Sequence, residues 1–224
     1  MIDAHCHPTE IPGFSPTGIT IVATGFSPTS NRGVEALNKR FGVPFAIGVA
    51  PQTLKLEKVD IDSELSYVEE VGPNAIGEIG LDWKWAETEA EKAEQERVFS
   101  LFLSKARELD KPVVVHSRKA ERRVVELIKG QPQAILHCFS GKNIEEALST
   151  GAYFTIPPIR SSSRKELIKK AGLERLLVES DAPYIGKSPE SVLESVSYIA
   201  EVLGIERGEA ERATEKNSRT LFKL

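Results

Sequence analysis

Only four histidines occur in the 224 residues, and two of them, His5 and His7, stand one residue apart in the opening MIDAHCH. The others close short apolar runs, His116 after PVVV and His137 after AIL. Two carboxylates hold matching places, Glu78 in AIGEIGLD and Asp181 in LLVESDAP. Residues two apart on a strand face the same way, so His5 and His7 can chelate one ion while Cys6 points to the other side. Imidazole nitrogen ligates zinc and its first-row neighbours, and a carboxylate has two oxygens with which to bridge two ions. A single histidine at a strand end is more often a hydrogen-bonded structural residue than a ligand. Here all four take that position, together with two carboxylates on otherwise apolar runs, where a charge is costly unless it meets a counter-charge. Four imidazoles and two carboxylates exceed one tetrahedral site. The economical reading is two divalent metal ions (Zn, Mn or Mg), about 3.5–4 Å apart.

Such a site needs elements that bring distant positions together. Short apolar, β-rich runs recur along the chain: MIDAHCH, ITIVATG, PFAIGVA, NAIGEIG, PVVVHS, QAILHCF, AYFTIP and RLLVESD. The runs from Ile19 to Ala23 and from Val113 to Val115 are apolar without alternation, as strands covered on both faces of a parallel sheet are. Helix-period segments lie between, at 87–109, 119–129 and 189–203. Gly72-Pro73, Asp110-Lys111-Pro112 and Gly130-Gln131-Pro132 punctuate the helix ends. This alternation is the arithmetic of a TIM-type (β/α)8 barrel, with a doubly wound open sheet as the competing architecture. The stretch from His7 to Gly18 is rich in Pro, Gly, Ser and Thr and too short for a full helix, so the first helix is expected to be reduced to a loop. With no linker or longer repeat, residues 1–224 read as one domain. All six candidate ligands then fall on the C-terminal rim, where barrel enzymes build active sites.

Composition narrows the function classes. A net charge of -4 argues against a protein that coats nucleic acid non-specifically, which needs an excess of Lys and Arg. No window approaches a membrane span, and the first residues lack the flank and apolar run of a secretion signal, so a cytoplasmic address is the default. Cys6 and Cys138, the two cysteines, are expected to be free thiols.

The ordered set DAHCH, GEIGLD, PVVVHSR, ILHCFSG, LLVESDAPY and NSRTLF resembles the TatD family of metal-dependent hydrolases, within the amidohydrolase superfamily. The resemblance implies a dinuclear centre with His5, His7 and Asp181 on one metal, His116 and His137 on the other, and Glu78 bridging. It also implies a deoxyribonuclease that hydrolyses phosphodiester bonds through an activated water, with Asp181 as general base. DNA is the implied substrate, and tRNA is the alternative, since some relatives remove D-amino acids from it. Arg118, directly after a ligand strand, is a candidate for pairing with substrate phosphate. Ser140, at the start of a loop, is a candidate for anion contact, and Trp83 or Trp85 for stacking on a base. Asp82 reads as a partner of a ligand or as a turn cap, and the basic stretch from Arg160 to Lys170 as a guide for nucleic acid or as a solvated helix face.

Three places depart from the family pattern. Ala50 stands where members usually carry histidine, Lys119 where they commonly carry aspartate, and the segment after Tyr184 is short. None touches the six ligands. An ester or amide hydrolase acting on a small molecule or an aminoacyl-tRNA is therefore the alternative function, and a binding protein with a structural metal ranks last.

Overall fold

A computed structural model describes all residues, Met1–Leu224. Each apolar run forms a strand: β1 (Ile2–Cys6), β2 (Thr20–Thr24), β3 (Phe45–Ile47), β4 (Ala75–Asp82), β5 (Val113–Arg118), β6 (Ala134–Leu136), β7 (Tyr153–Ile156) and β8 (Leu176–Val178). They make one sheet in sequence order, with every neighbouring pair parallel. The helices are α1 (Pro28–Phe41), α2 (Pro51–Leu56), α3 (Ile61–Val71), α4 (Glu89–Glu108), α5 (Glu121–Leu127), α6 (Ile144–Ser149), α7 (Ser162–Ala171), α8 (Val192–Leu203) and α9 (Arg207–Phe222). The three helices expected from periodicity are α4, α5 and α8, trimmed at their ends. Thr88 and Glu91 cap the start of α4 reciprocally, and Pro189–Ser191 forms a 3-10 turn leading into α8. Between β1 and β2 there is one 3-10 turn, Pro8–Glu10, and no α-helix. No helix is long and apolar enough to cross a membrane.

Alternation along the strands separates two cores. Ile2, Ala4, Val22, Ala46, Ala75, Val114, Ile135 and Leu177 pack together inside the barrel. Their chain neighbours, such as Ile21, Ala23, Ile76, Val113, Val115 and Leu136, pack outward with the helices, and Cys6 joins that outer layer as expected. The end of α9 contributes Leu221 and Phe222 to the inner cluster. Asn74, beside the start of β4, holds this plug: its Nδ2 donates to the Phe222 carbonyl at 3.0 Å and its Oδ1 accepts from Phe45 N at 3.1 Å.

Two strands depart from strict alternation, and both carry candidate ligands. On β1, Asp3 pairs with Ile21 but Cys6 with Ala23, so one extra residue is accommodated between them. On β4, Ile76 pairs with Val113 but Ile79 with Val115, the same irregularity. Bulges of this kind re-aim side chains at barrel rims. They let Ala4 fill the inner core while His5 still turns to the axis. Two glycines near Glu78 are required by the close approach of β5: a Cβ on Gly77, just before it, would lie 2.6 Å from the Val114 carbonyl oxygen, and one on Gly80, two residues after it, 2.1 Å from that of His116.

Two strand ends differ from expectation. Glu78 and His116 lie inside their strands, because β4 runs on to Asp82 and β5 to Arg118. The extensions pair with each other, Gly80 with His116 and Asp82 with Arg118, so their backbone groups stay satisfied beyond the rest of the rim. At the seam where β8 meets β1, Asp181 N donates to the His5 carbonyl at 3.0 Å and His7 N to that of Ala182 at 2.8 Å. Asp3 clamps this seam from within, accepting from Ser180 N at 2.9 Å, Ser180 Oγ at 2.5 Å and His5 N at 3.2 Å. Burial pushes the Asp3 carboxyl up to about 8, against the pull of those donors.

Candidate metal centre

The six residues singled out in the sequence converge on one point at the C-terminal end of the barrel. Nε2 of His5 and Nε2 of His7 are 3.0 Å apart. Asp181 Oδ1 faces them at 3.7 and 3.3 Å, and Glu78 Oε2 at 3.9 and 3.6 Å. The other Glu78 oxygen, Oε1, lies 2.8 Å from His116 Nδ1 and 3.6 Å from His137 Nε2. Glu78 therefore divides its two oxygens between two pairs of histidines. All six side chains are buried except that of His116, which is partly so.

The outer nitrogens show what the inner ones are for. His7 Nδ1 donates to the Thr24 carbonyl at 2.9 Å, and His137 Nδ1 to Glu179 Oε2 at 3.0 Å. His116 Nε2 donates to Asp82 Oδ2 at 3.0 Å. In each ring an N–H is placed outward, so the inward nitrogen presents a lone pair whenever the ring is neutral. His116 Nδ1 is buried and in no hydrogen-bond geometry with Glu78, despite the short distance. Neutral rings thus turn lone pairs towards the same space as the carboxylate oxygens, an arrangement that fits cations.

The electrostatics follow from this crowding of rings and carboxylates. Burial, then the neighbouring His137 and His7, drive the pKa of His5 well below its ordinary value, which keeps it neutral. Burial alone would raise the Glu78 carboxyl, but His116, His137 and His5 outweigh it and hold the group well below the carboxylate range. Burial likewise works against charge on His137, yet the Glu179 carboxylate, with Glu78 and Asp181, pushes its pKa up to about 10. The backbone is strained here as well: Asp181 sits at φ 47° and Cys138 at φ 45°, left-handed conformations that L side chains adopt only when the surroundings enforce them.

Two buried carboxylates escaped the sequence reading. Glu179 accepts from His137 Nδ1 and, at 2.8 Å, from Cys138 N. It lies near enough to His5 and His137 to count as a ligand by distance, but both its oxygens are committed to holding the His137 strand end. Asp3 is the seam clamp. Each stands two residues before a candidate ligand, His5 or Asp181, but the β1 bulge sets Asp3 between the inner-core residues Ile2 and Ala4, so alternation pointed to Glu179 alone. Asp82 does both things expected of it: besides His116 it accepts from Lys84 N at 2.9 Å and from Arg118 Nε at 2.7 Å.

Above the centre opens a cleft of about 540 Å³. Arg118 and Ser140 line it, and Ser140 Oγ donates to Glu121 there at 2.8 Å. Trp83 does not: its ring packs against the outer core with the Lys92 ammonium 5.2 Å from its centroid. Trp85 lines the cleft instead, with the exposed Tyr184. Ala50 is fully buried away from the cleft, where nearby Gln52 takes part in the lining. Of the basic stretch, Arg164 reaches the cleft, while Arg160 and Lys170 pair with Glu201 and Glu145.

Comparisons with known proteins point to one family. The family model described as TatD related DNase matches residues 2–223. A human protein described as deoxyribonuclease TATDN3 is 35% identical over 73% of this chain and 65% of its own length. A putative deoxyribonuclease TATDN3 from mouse is 34% identical over 77% of this chain and 63% of its own. The matches to these two thus span less than two thirds of their length. A metal-dependent hydrolase of Methanocaldococcus jannaschii is 29% identical over 99% of this chain and 96% of its own. Among solved structures, the TatD homolog YjjV from Escherichia coli superposes with a TM-score of 0.86 at 24% identity, covering 100% of this chain and 98% of the other, a likeness of fold.

Proposed function

The chain belongs to the TatD-related DNase family, and on that premise we propose that residues 1–224 form one hydrolase domain that cuts phosphodiester bonds of DNA at a dinuclear divalent-metal centre. The observation that carries this reading is the division of Glu78, one oxygen toward His5 and His7 and the other toward His116 and His137. In this reading His5, His7 and Asp181 hold one ion, His116 and His137 the second, and Glu78 both. The mixed nitrogen and oxygen donors suit zinc or manganese, with magnesium a third choice.

Bound divalent ions would bring the pKa of water from about 15.7 towards 7 and draw charge from a phosphoryl oxygen. The chain's own side chains do the rest. Asp181, between the His5–His7 pair and the cleft, takes the proton of the attacking water and returns it to the leaving oxygen. Glu179 and Asp82 lock the His137 and His116 rings with their lone pairs inward. Arg118, anchored by Asp82, offers its remaining N–H groups to a nonbridging phosphate oxygen. Ser140 lines the same cleft within reach of substrate.

A substrate scan with Zn²⁺, Mn²⁺ and Mg²⁺ tests this reading. Metal-dependent cleavage of short single-stranded DNA and of a simple phosphodiester is the expected result. Turnover confined to carboxylic esters, amides or aminoacyl-tRNA would overturn it in favour of an amidohydrolase-type activity.

A further inference from the structure

Six charged side chains line the cleft: Glu78, Asp82, Glu121 and Asp181 are acidic, Arg118 and Arg164 basic. Arg118 is committed to Asp82, with Nε at 2.7 Å and Nη2 at 2.6 Å. Arg164 has no such partner. Its Nη2 donates to Cys138 Sγ at 3.3 Å, and its Nε is buried with no acceptor at all. A thiol sulfur is a weak acceptor, and an idle buried N–H on a charged group is costly. Its backbone is fixed in the first turn of α7, where Arg164 N donates to Ser161 Oγ at 3.1 Å, and its fork is oriented by the Cys138 contact. A fixed, unpaired guanidinium fork facing a cleft is suited to a planar or tetrahedral oxyanion.

We propose that Arg164 forms an anion subsite beside the metal centre that binds a terminal phosphate of the nucleic-acid strand, next to the bond being cut. The identity of the ligand rests on the phosphodiesterase reading above. The scissile group must lie at Glu78, between the two histidine pairs, whereas Arg164 touches Cys138, one residue beyond His137. The subsite therefore adjoins the His116–His137 side and serves a neighbouring phosphate. Across the centre, Tyr184 lies against His7 with ring centroids 5.2 Å apart and exposes its other surface, an aromatic platform for a base. The cleft is thus polarised, cationic on one side and aromatic on the other, and fixes the direction in which a strand end enters.

The test measures equilibrium binding of dithymidine monophosphate with no terminal phosphate, a 5′ phosphate or a 3′ phosphate, to the full chain with and without divalent metal. One phosphorylated form is expected to bind at least about tenfold tighter than the bare dinucleotide. That advantage should vanish in Arg164→Gln and be partly kept in Arg164→Lys. Lys169→Gln, at an exposed position of the same helix, should leave it intact. In turnover, Arg164→Gln should raise KM for the phosphorylated substrate more than it lowers kcat. Equal binding of all three dinucleotides, or a preference that survives Arg164→Gln, would overturn the proposal. So would a fall in melting temperature with the preference unchanged, since Arg164 would then only support the Cys138 loop. A preference lost in Arg164→Gln, in a protein that cleaves no phosphodiester, keeps the subsite and removes the nuclease reading; cleavage without any preference does the reverse.

Discussion

The two ends of the barrel use the same strands for opposite purposes. At the N-terminal end Ile2, Val22, Ala75, Val114, Ile135 and Leu177 close over Leu221 and Phe222, and the polar contact made there by Asn74 is fully matched. At the C-terminal end the same strands deliver His5, Glu78, His116 and His137, buried or, for His116, partly so, with ring nitrogens and carboxylate oxygens crowded together. The first arrangement is stable by itself, because apolar burial needs no partner. The second is complete only when positive charge enters it. Stability and chemistry are therefore separable by position along one strand, and substitutions at the two ends should fail in different ways.

The largest effect is expected at the C-terminal end. Asp181→Asn should lower turnover on phosphodiesters by about 10²- to 10⁴-fold with an unchanged circular dichroism spectrum, and near-normal turnover would remove Asp181 as the base. At the other end, Phe222→Ala leaves a cavity under the barrel and should cost about 3–5 kcal/mol in urea unfolding. The folded fraction of that variant should bind metal with unaltered stoichiometry; a change in stoichiometry would mean that the two ends are coupled.

Smaller changes sharpen the contrast within the site. Glu179→Gln loosens His137 without removing a ligand and should weaken one ion by about 10- to 100-fold, leaving the other unaffected in a metal titration. His116→Ala should act on the same ion, so an intact two-ion stoichiometry in that variant would contradict its assignment. Acid–base linkage gives the mildest signal. His7 and His116 lie above the ordinary imidazole pKa and His137 is held up at about 10, because carboxylates next to the rings outweigh burial. His137 therefore carries a proton at pH 7, and only neutral imidazole binds metal, so loading should release a proton and affinity should rise as the pH increases towards 10. Calorimetric titrations in buffers of different ionisation enthalpy measure this release, and buffer-independent heats would contradict it.

The barrel was legible because strands covered on both faces are apolar throughout, as in PVVV and AIL, and because Gly and Pro mark the helix ends. The six candidate ligands were legible because histidine is scarce here and falls only on strands or one residue past them. What stayed hidden depends on contacts between distant segments. The bulges on β1 and β4 arise from register against β2 and β5, which no local pattern encodes. Glu179 was readable as a buried carboxylate by alternation and Asp3 was not, and their roles depend on His137 and Ser180, far away in sequence. Trp83 and Trp85 are equivalent as sequence, and only the packing of Trp83 on the outer core leaves Trp85 to the cleft. Arg164 was lost in a basic run in which Arg160 and Lys170 find carboxylates on neighbouring helices.

The central claim is that Glu78 splits one site into two. Anomalous diffraction from metal-loaded crystals, recorded at the absorption edge of the bound metal, tests it most directly. Two peaks are expected, one touching Glu78 Oε2 with His5 and His7, the other touching Oε1 with His116 and His137. A single peak, or a second ion that leaves one Glu78 oxygen free, would contradict it.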